Sequence, residues 1–193
     1  MPGASFEAIT GRLGIGAIAF LGFFLFIDGL QIGVFQLIEE NGKTVTWGLI
    51  GLIPTVVVTY IVGAFCLGTA EAVFSMIPVL TAPSTEDLVA VAKINSPLLQ
   101  QTYAEHLRTR ELLLGSSVAF LVLAAGSFMD ISSLPFNSLL IGSLAVGGAL
   151  SLSGLSLLFS IRAKRAANEV ADAAKLLAVQ AEKGPALAKR SAH

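Results

Sequence analysis

Residues 13–38 read LGIGAIAFLGFFLFIDGLQIGVFQLI. At a rise of about 1.5 Å per residue, a helix of this length covers about 39 Å, more than the roughly 30 Å hydrocarbon core of a bilayer. Asp28 is its only charged residue. Polarity does not alternate along the run, so it lacks the pattern of a barrel strand. A helix satisfies its own backbone hydrogen bonds, as lipid demands. The run therefore reads as a membrane-crossing helix. No small-residue cleavage site follows it, so the span is expected to be retained.

Three further runs share this character: residues 47–69 with helical continuation to 77, residues 112–129, and residues 137–161. The expected fold class is all-α, a polytopic membrane protein with four transmembrane helices. Composition agrees. Of 193 residues, 54% are hydrophobic and 13% charged, against about 25% charged in soluble domains. Too little polar surface remains to cover a water-soluble globule. The net charge is −1, and no basic stripe interleaved with aromatics is present, so no nucleic-acid partner is expected.

Lysine and arginine placement sets the expected orientation. Arg12 precedes the first span; Lys93, Arg108 and Arg110 lie between the second and third; Arg162, Lys164 and Arg165 follow the fourth. The loop EENGKTV carries Lys43 beside two glutamates, and DISSLPF has no basic residue. Both termini and the middle segment are expected on the cytoplasmic side, in a bacterial cytoplasmic (inner) membrane, with Trp47 anchoring the outer interface.

The expected organisation is a cytoplasmic segment (1–12), a first transmembrane hairpin (13–77), a cytoplasmic helical segment (78–111), a second transmembrane hairpin (112–161), a cytoplasmic C-terminal helix (162–184) and a disordered tail (185–193). In the middle segment Ser84 or Thr85 caps a helix whose first turn holds Glu86 and Asp87, acids that favour the positive end of the helix dipole. Ser96 and Pro97 then start a second helix that nothing breaks before the third span. Alanine-rich residues 162–183 extend the fourth span in the same way, until Gly184 and Pro185 signal a stop. These two extensions are expected to pack on each other as a short cytoplasmic helical hairpin. Pro54 predicts a kink in the second span.

Lipid tails are as apolar as leucine, so spans associate through close backbone packing and interhelical hydrogen bonds. The expected packing positions are Gly22, Gly29 and Gly33 on the first span, Gly51, Thr55, Thr59 and Gly63 on the second, and Gly147 on the fourth. The wide distribution of small residues on the fourth span points to a homo-oligomer or to other membrane subunits as partners, beside the lipid bilayer itself. A faint repeat, AFL at 19–21 and 119–121 with FID and FMD after them, suggests two parallel hairpins.

The acids inside the spans are the candidate functional residues. An acid at the centre of a span costs about 2.5–3.5 kcal/mol on insertion scales and normally faces protein or water. Asp28 and Gln31 share a strip beside the glycines, and Glu71 sits near the inner end of the second span. They form either an ion or proton path or polar contacts between helices. The leading expectation is an oligomeric ion- or proton-conducting or transport subunit built on these carboxylates. The alternative is a non-conducting accessory or scaffold subunit that docks a partner through its cytoplasmic helices. No HExxH, GxSxG or dinucleotide-binding glycine pattern occurs, so no enzyme and no cofactor is expected. Cys66 and two histidines are too few for a metal site; Cys66 reads as a small buried hydrophobe.

Overall fold

A computed structural model describes residues 3–30, 45–81, 83–94, 96–133 and 139–190. The regular elements among them are five helices: α1 (Gly3–Gly29), α2 (Val45–Phe74), α3 (Thr85–Lys93), α4 (Pro97–Ser133) and α5 (Leu139–Arg190). All but α3 are long and apolar enough to cross a membrane. Within α1 and α2, Ile9–Gly29 and Pro54–Phe74 are 21 residues each, about 31 Å and enough to cross one hydrocarbon core. α4 has 37 residues and α5 has 52, about 56 and 78 Å. Both exceed the roughly 40–45 Å of a whole bilayer, so part of each stands outside it.

Several boundaries differ from those expected. α1 starts at Gly3, inside the segment expected to precede the span, and ends at Gly29, where the Leu30 N–H donates to the Ile27 carbonyl at 3.1 Å. Glycine has a high entropic cost in a helix and so favours an end there. α5 carries on through Gly184 and Pro185 to Arg190; the surrounding alanines, leucine, lysine and arginine are strong helix formers. α2 is continuous through Pro54. Gln31, Gly33 and the loop from 134 to 138 lie outside the described residues, as do the side-chain surroundings of Trp47 and Gly51.

The chain divides into two compact units: Met1–Phe74 with Leu112–Leu158, and Ser75–Glu111 with Phe159–His193. The first contains α1, α2 and the more apolar parts of α4 and α5. It is inside-out compared with a soluble protein. Phe23, Phe65, Phe128 and Leu144 are exposed, whereas Ile15, Ala19, Cys66 and Ala119 form the core and Ser117, Ser127 and Ser153 are buried. Cys66 is thus the small core residue expected.

Contacts fix the helix directions in this unit. Arg12 meets Gly63 and Gly16 meets Thr59, so α1 and α2 are antiparallel. Gly11 meets Leu112, Gly22 meets Leu123, and Gly29 meets Met129 and Asp130, so α1 and α4 are parallel. Gly142 meets Ile131 while Ser153 bonds Ser117, so α5 returns antiparallel to α4. Two glycine pairs permit these approaches. A methyl group on Gly16 would stand 1.8 Å from the Thr59 carbonyl oxygen, and one on Gly63 would stand 1.9 Å from that of Arg12. On α4, a methyl on Gly126 would stand 1.8 Å from the Gly22 carbonyl oxygen. Only a residue without Cβ allows backbone to touch backbone in this way.

The second unit is built on α3, the first turns of α4 and the C-terminal part of α5. Val91, Tyr103, Ala167, Ala171 and Ala174 form its core, with Ile94, Leu107 and Val170 packed against it. Ser84 caps α3 by accepting from the Asp87 N–H at 3.2 Å, and Asp87 accepts from the Ser84 N–H at 3.3 Å, a complete capping box. Gln100 closes the other end, its amide donating to the Ile94 carbonyl at 2.9 Å. Pro97 opens α4 as its first residue, as the sequence predicts.

Candidate functional site

Asp28 and Glu71, expected toward opposite ends of their spans, lie far apart. Asp28 is half-buried in the last turn of α1, and Glu71 is exposed in the last turn of α2. In the antiparallel register that pairs residue 12 with 63 and 16 with 59, Glu71 falls level with residue 4. That is about 36 Å along the axis from Asp28. Gln31 lies outside the described residues.

Asp28 instead stands near Asp130. A methyl on Gly29 would be 2.7 Å from the Asp130 backbone nitrogen, so the two helices are in backbone contact at the level of both acids. Asp130 is half-buried too, and the two carboxylates are close enough to interact electrostatically. Both have further polar interactions. The sequence carried a signal for this pairing in the FID and FMD repeat: parallel helices bring matching positions together.

At the opposite end of α1, Arg12 donates to the Tyr60 hydroxyl at 2.8 Å, with its guanidinium carbon 5.7 Å from the ring centre. The first unit therefore has a cation at one end of α1 and two acids at the other, about 24 Å apart along the helix.

Between these ends small residues fill the interior, with Thr59, Ser117, Ser127, Ser153 and Ser156 buried among them. Ser117 and Ser153 have hydroxyl oxygens 3.0 Å apart, while Ser153 also donates to the Ser117 carbonyl at 3.1 Å. Both serines are buried, so this hydrogen bond ties α4 to α5 in a low-dielectric setting. Of the expected packing residues, Gly22, Gly29, Thr59 and Gly63 lie in helix contacts, whereas Thr55 is exposed and Gly147 meets no atom within 4 Å. Gly16, Gly115 and Gly126 were missed. Gly115 and Gly126 are eleven residues apart, as are Gly11 and Gly22. Eleven residues make three helical turns, and that spacing would have found both faces.

The fourth span presents a different small-residue surface. Ser143, Gly147, Ser151 and Gly154 fall at four-, four- and three-residue spacing and are all exposed. A methyl group on Gly147, Gly148 or Gly154 would meet no neighbouring helix within 4 Å, and the Ser151 hydroxyl donates to the Gly147 carbonyl of its own helix at 2.8 Å.

In the second unit charged groups are bound into structure. The Lys175 ammonium pairs with Asp87 at 2.5 Å. That ammonium, with the Ser84 hydroxyl, holds the Asp87 carboxyl below its ordinary value. Arg110 is buried and donates to the Leu80 carbonyl; Lys164 donates to the Pro78 carbonyl at 3.0 Å and to the Thr81 hydroxyl at 3.1 Å. Among the described residues no group of three histidine, cysteine or carboxylate side chains could hold a metal ion. Comparison with known protein families, curated proteins and solved structures gives no match to this chain.

Proposed function

We propose that this protein is a non-enzymatic scaffold or accessory subunit of a membrane complex, most simply in a bacterial cytoplasmic membrane, with its termini and second unit on the cytoplasmic side. The observation that carries the reading is the bare face of α5. Ser143, Gly147, Ser151 and Gly154 leave a strip where a neighbouring helix can bring its backbone close, as Gly16, Gly22, Gly63 and Gly126 do inside the chain. Small residues at such spacing favour helix association in lipid. The clustering of Lys93, Arg108, Arg110, Arg162, Lys164 and Arg165 in the second unit supports the orientation.

The test compares wild type with Gly147→Ile and Gly154→Ile in vesicles. Subunit counting by single-molecule photobleaching, with quantitative analysis of co-purified chains, is expected to show an assembly that the variants lose. A wild-type protein that is monomeric and carries no stoichiometric partner would overturn the reading.

A conducting or transport subunit is the second reading, and the pairing of Asp28 with Asp130 is what favours it. It requires Asp28→Asn to change proton or cation flux into reconstituted vesicles. Wild-type vesicles as tight as empty ones would end it.

A further inference from the structure

The turn after α2 has no role in the reading above. Residues 75–81 read SMIPVLT, and from Ala72 to Thr85 the chain has no charged residue. Met76 is 86% exposed, Val79 52% and Ile77 42%. This is not a loose loop. Leu80 is buried, its N–H donates to the Ile77 carbonyl at 2.8 Å, Arg110 binds its carbonyl, and Lys164 grips Pro78 and Thr81. The protein thus fixes a turn whose apolar side chains point away from its own core.

Chain connectivity limits where those side chains go. α2 ends at Phe74, and the 21 residues up to that end, Pro54–Phe74, are long and apolar enough to cross a hydrocarbon core. Met76 is two residues beyond Phe74, at most about 7 Å. The headgroup layer is about 5–8 Å thick on each side. Charge points the same way. Lys164 is bound to the turn itself, and exposed Arg162 lies with its guanidinium 5.6 Å from the ring centre of half-exposed Phe159. Between Arg162 and Arg165 there is no acid. Apolar side chains beside lysine and arginine suit the boundary between acyl chains and anionic headgroups.

We propose that Met76, Ile77 and Val79 are an interfacial anchor, inserted at the acyl–headgroup boundary of an acidic phospholipid leaflet, with Lys164 and Arg162 facing lipid phosphates. This rests on the membrane-spanning helices, not on the scaffold reading, and stands if the α5 face proves to bind nothing.

The test uses the full chain with Cys66→Ala, carrying Met76→Cys labelled with an environment-sensitive fluorophore, in phosphatidylcholine vesicles containing phosphatidylglycerol. Phe65→Cys, on the exposed side of α2, and Glu169→Cys, exposed on α5, are the lipid and water references. Spin labels near the headgroup end of the lipid chain are expected to quench the Met76 probe several-fold more than labels near the chain terminus. Aqueous iodide is expected to quench it several-fold less than the Glu169 probe. Lipid quenching is expected to fall when phosphatidylglycerol is omitted or when Arg162→Gln and Lys164→Gln are combined. Iodide access equal to that at Glu169 overturns the proposal. So does protection from both quenchers, which would mark a protein partner on the turn. Lipid quenching that is indifferent to phosphatidylglycerol overturns the role given to the cations.

Discussion

Adding one methyl group at Gly126 tests the parallel α1–α4 seam directly. In the native packing that methyl would stand 1.8 Å from the Gly22 carbonyl oxygen, whereas real Cβ contacts essentially never fall below 3.0 Å. The atom it would meet is backbone, so no side chain can swing away. The helices must separate by at least the difference, 1.2 Å. A gap of 0.5–1 Å already forfeits about a quarter to a half of a dispersion contact, and overpacking a tight core costs about 1–3 kcal/mol. The upper end, about 3 kcal/mol, applies here because backbone meets backbone. Replacing glycine by alanine inside a helix returns about 1 kcal/mol, leaving a net loss of about 2 kcal/mol. At about 2–4 °C per kcal/mol for a chain of this size, Tm should fall by about 4–8 °C. The protein carries its own reporter. Cys66 is the only cysteine and is buried in the α1–α2–α4 core, so a thiol-reactive dye that fluoresces on conjugation follows melting in detergent. Gly68→Ala, on α2, is the control, since its methyl meets nothing; it should leave Tm unchanged or raise it slightly. A Gly126→Ala protein that melts with wild type, or a Gly68→Ala protein that melts lower than Gly126→Ala, would refute the assigned packing.

The serine contact should be measurable in a double-mutant cycle: Ser117→Ala and Ser153→Ala are expected to couple by about 0.6 kcal/mol, the average for hydrogen bonds between membrane helices, and additive effects would remove the bond from the fold. Asp87 has a lower pKa folded than unfolded, so its contribution is complete above its ordinary value of 3.8 and is lost as pH falls through the depressed one. Near pH 6, Asp87→Asn should speed hydrogen exchange of the Thr85–Lys93 amides by about 1.4- to 5-fold, given about 0.2–1 kcal/mol for a half-exposed pair. As pH falls below 3.8 toward the depressed value the gap between variant and wild type should narrow, and a gap that does not change with pH would contradict the ion pair. Gln100→Ala removes the donor to the Ile94 carbonyl and should cost about 0.5–1.5 kcal/mol, read as faster exchange confined to α3; exchange unchanged there would show that water replaces the amide fully.

Local chemistry made the helices legible and left their pairing largely hidden. Ser84, one of two cap candidates, caps α3, and Pro97 opens α4; both are features of a single turn, which the sequence carries locally. The stop expected at Gly184 and Pro185 failed because helix formers on both sides outweigh two poor residues. Helix pairing depends on which of 19 glycines meets a facing backbone, and one strand of sequence does not encode the partner. The four-residue spacing drew notice to Gly29 with Gly33 and to Gly147 with Ser151. The seam between α1 and α4 uses the eleven-residue spacing of Gly115 with Gly126. Antiparallel register puts Asp28 and Glu71 at opposite ends of the α1–α2 pair, as an acid in the first span and one near the inner end of the second allow. Parallel register brings the acid of FMD, Asp130, level with Asp28.

The two functional readings make different demands on this packing. A path for ions through one copy would need polar, solvated space along its helices. Between α1, α2 and α4 backbone carbonyls meet glycine at Gly16, Gly63 and Gly126; Ile15, Ala19, Cys66 and Ala119 form the apolar core; and Thr59, Ser117 and Ser127 are also buried in this unit. A route from Asp28 and Asp130 toward Arg12 through that seam would have to part backbone contacts at Gly16, Gly22, Gly63 and Gly126 together. A route outside the seam would run along surfaces exposed in one copy that another copy would line, and would share the association through α5 that the scaffold reading requires. The subunit count consequently comes first: flux through singly dispersed copies would contradict that shared route, whereas flux that appears only with assembly, and disappears in Gly154→Ile, would make the exposed small-residue face of α5 part of the path.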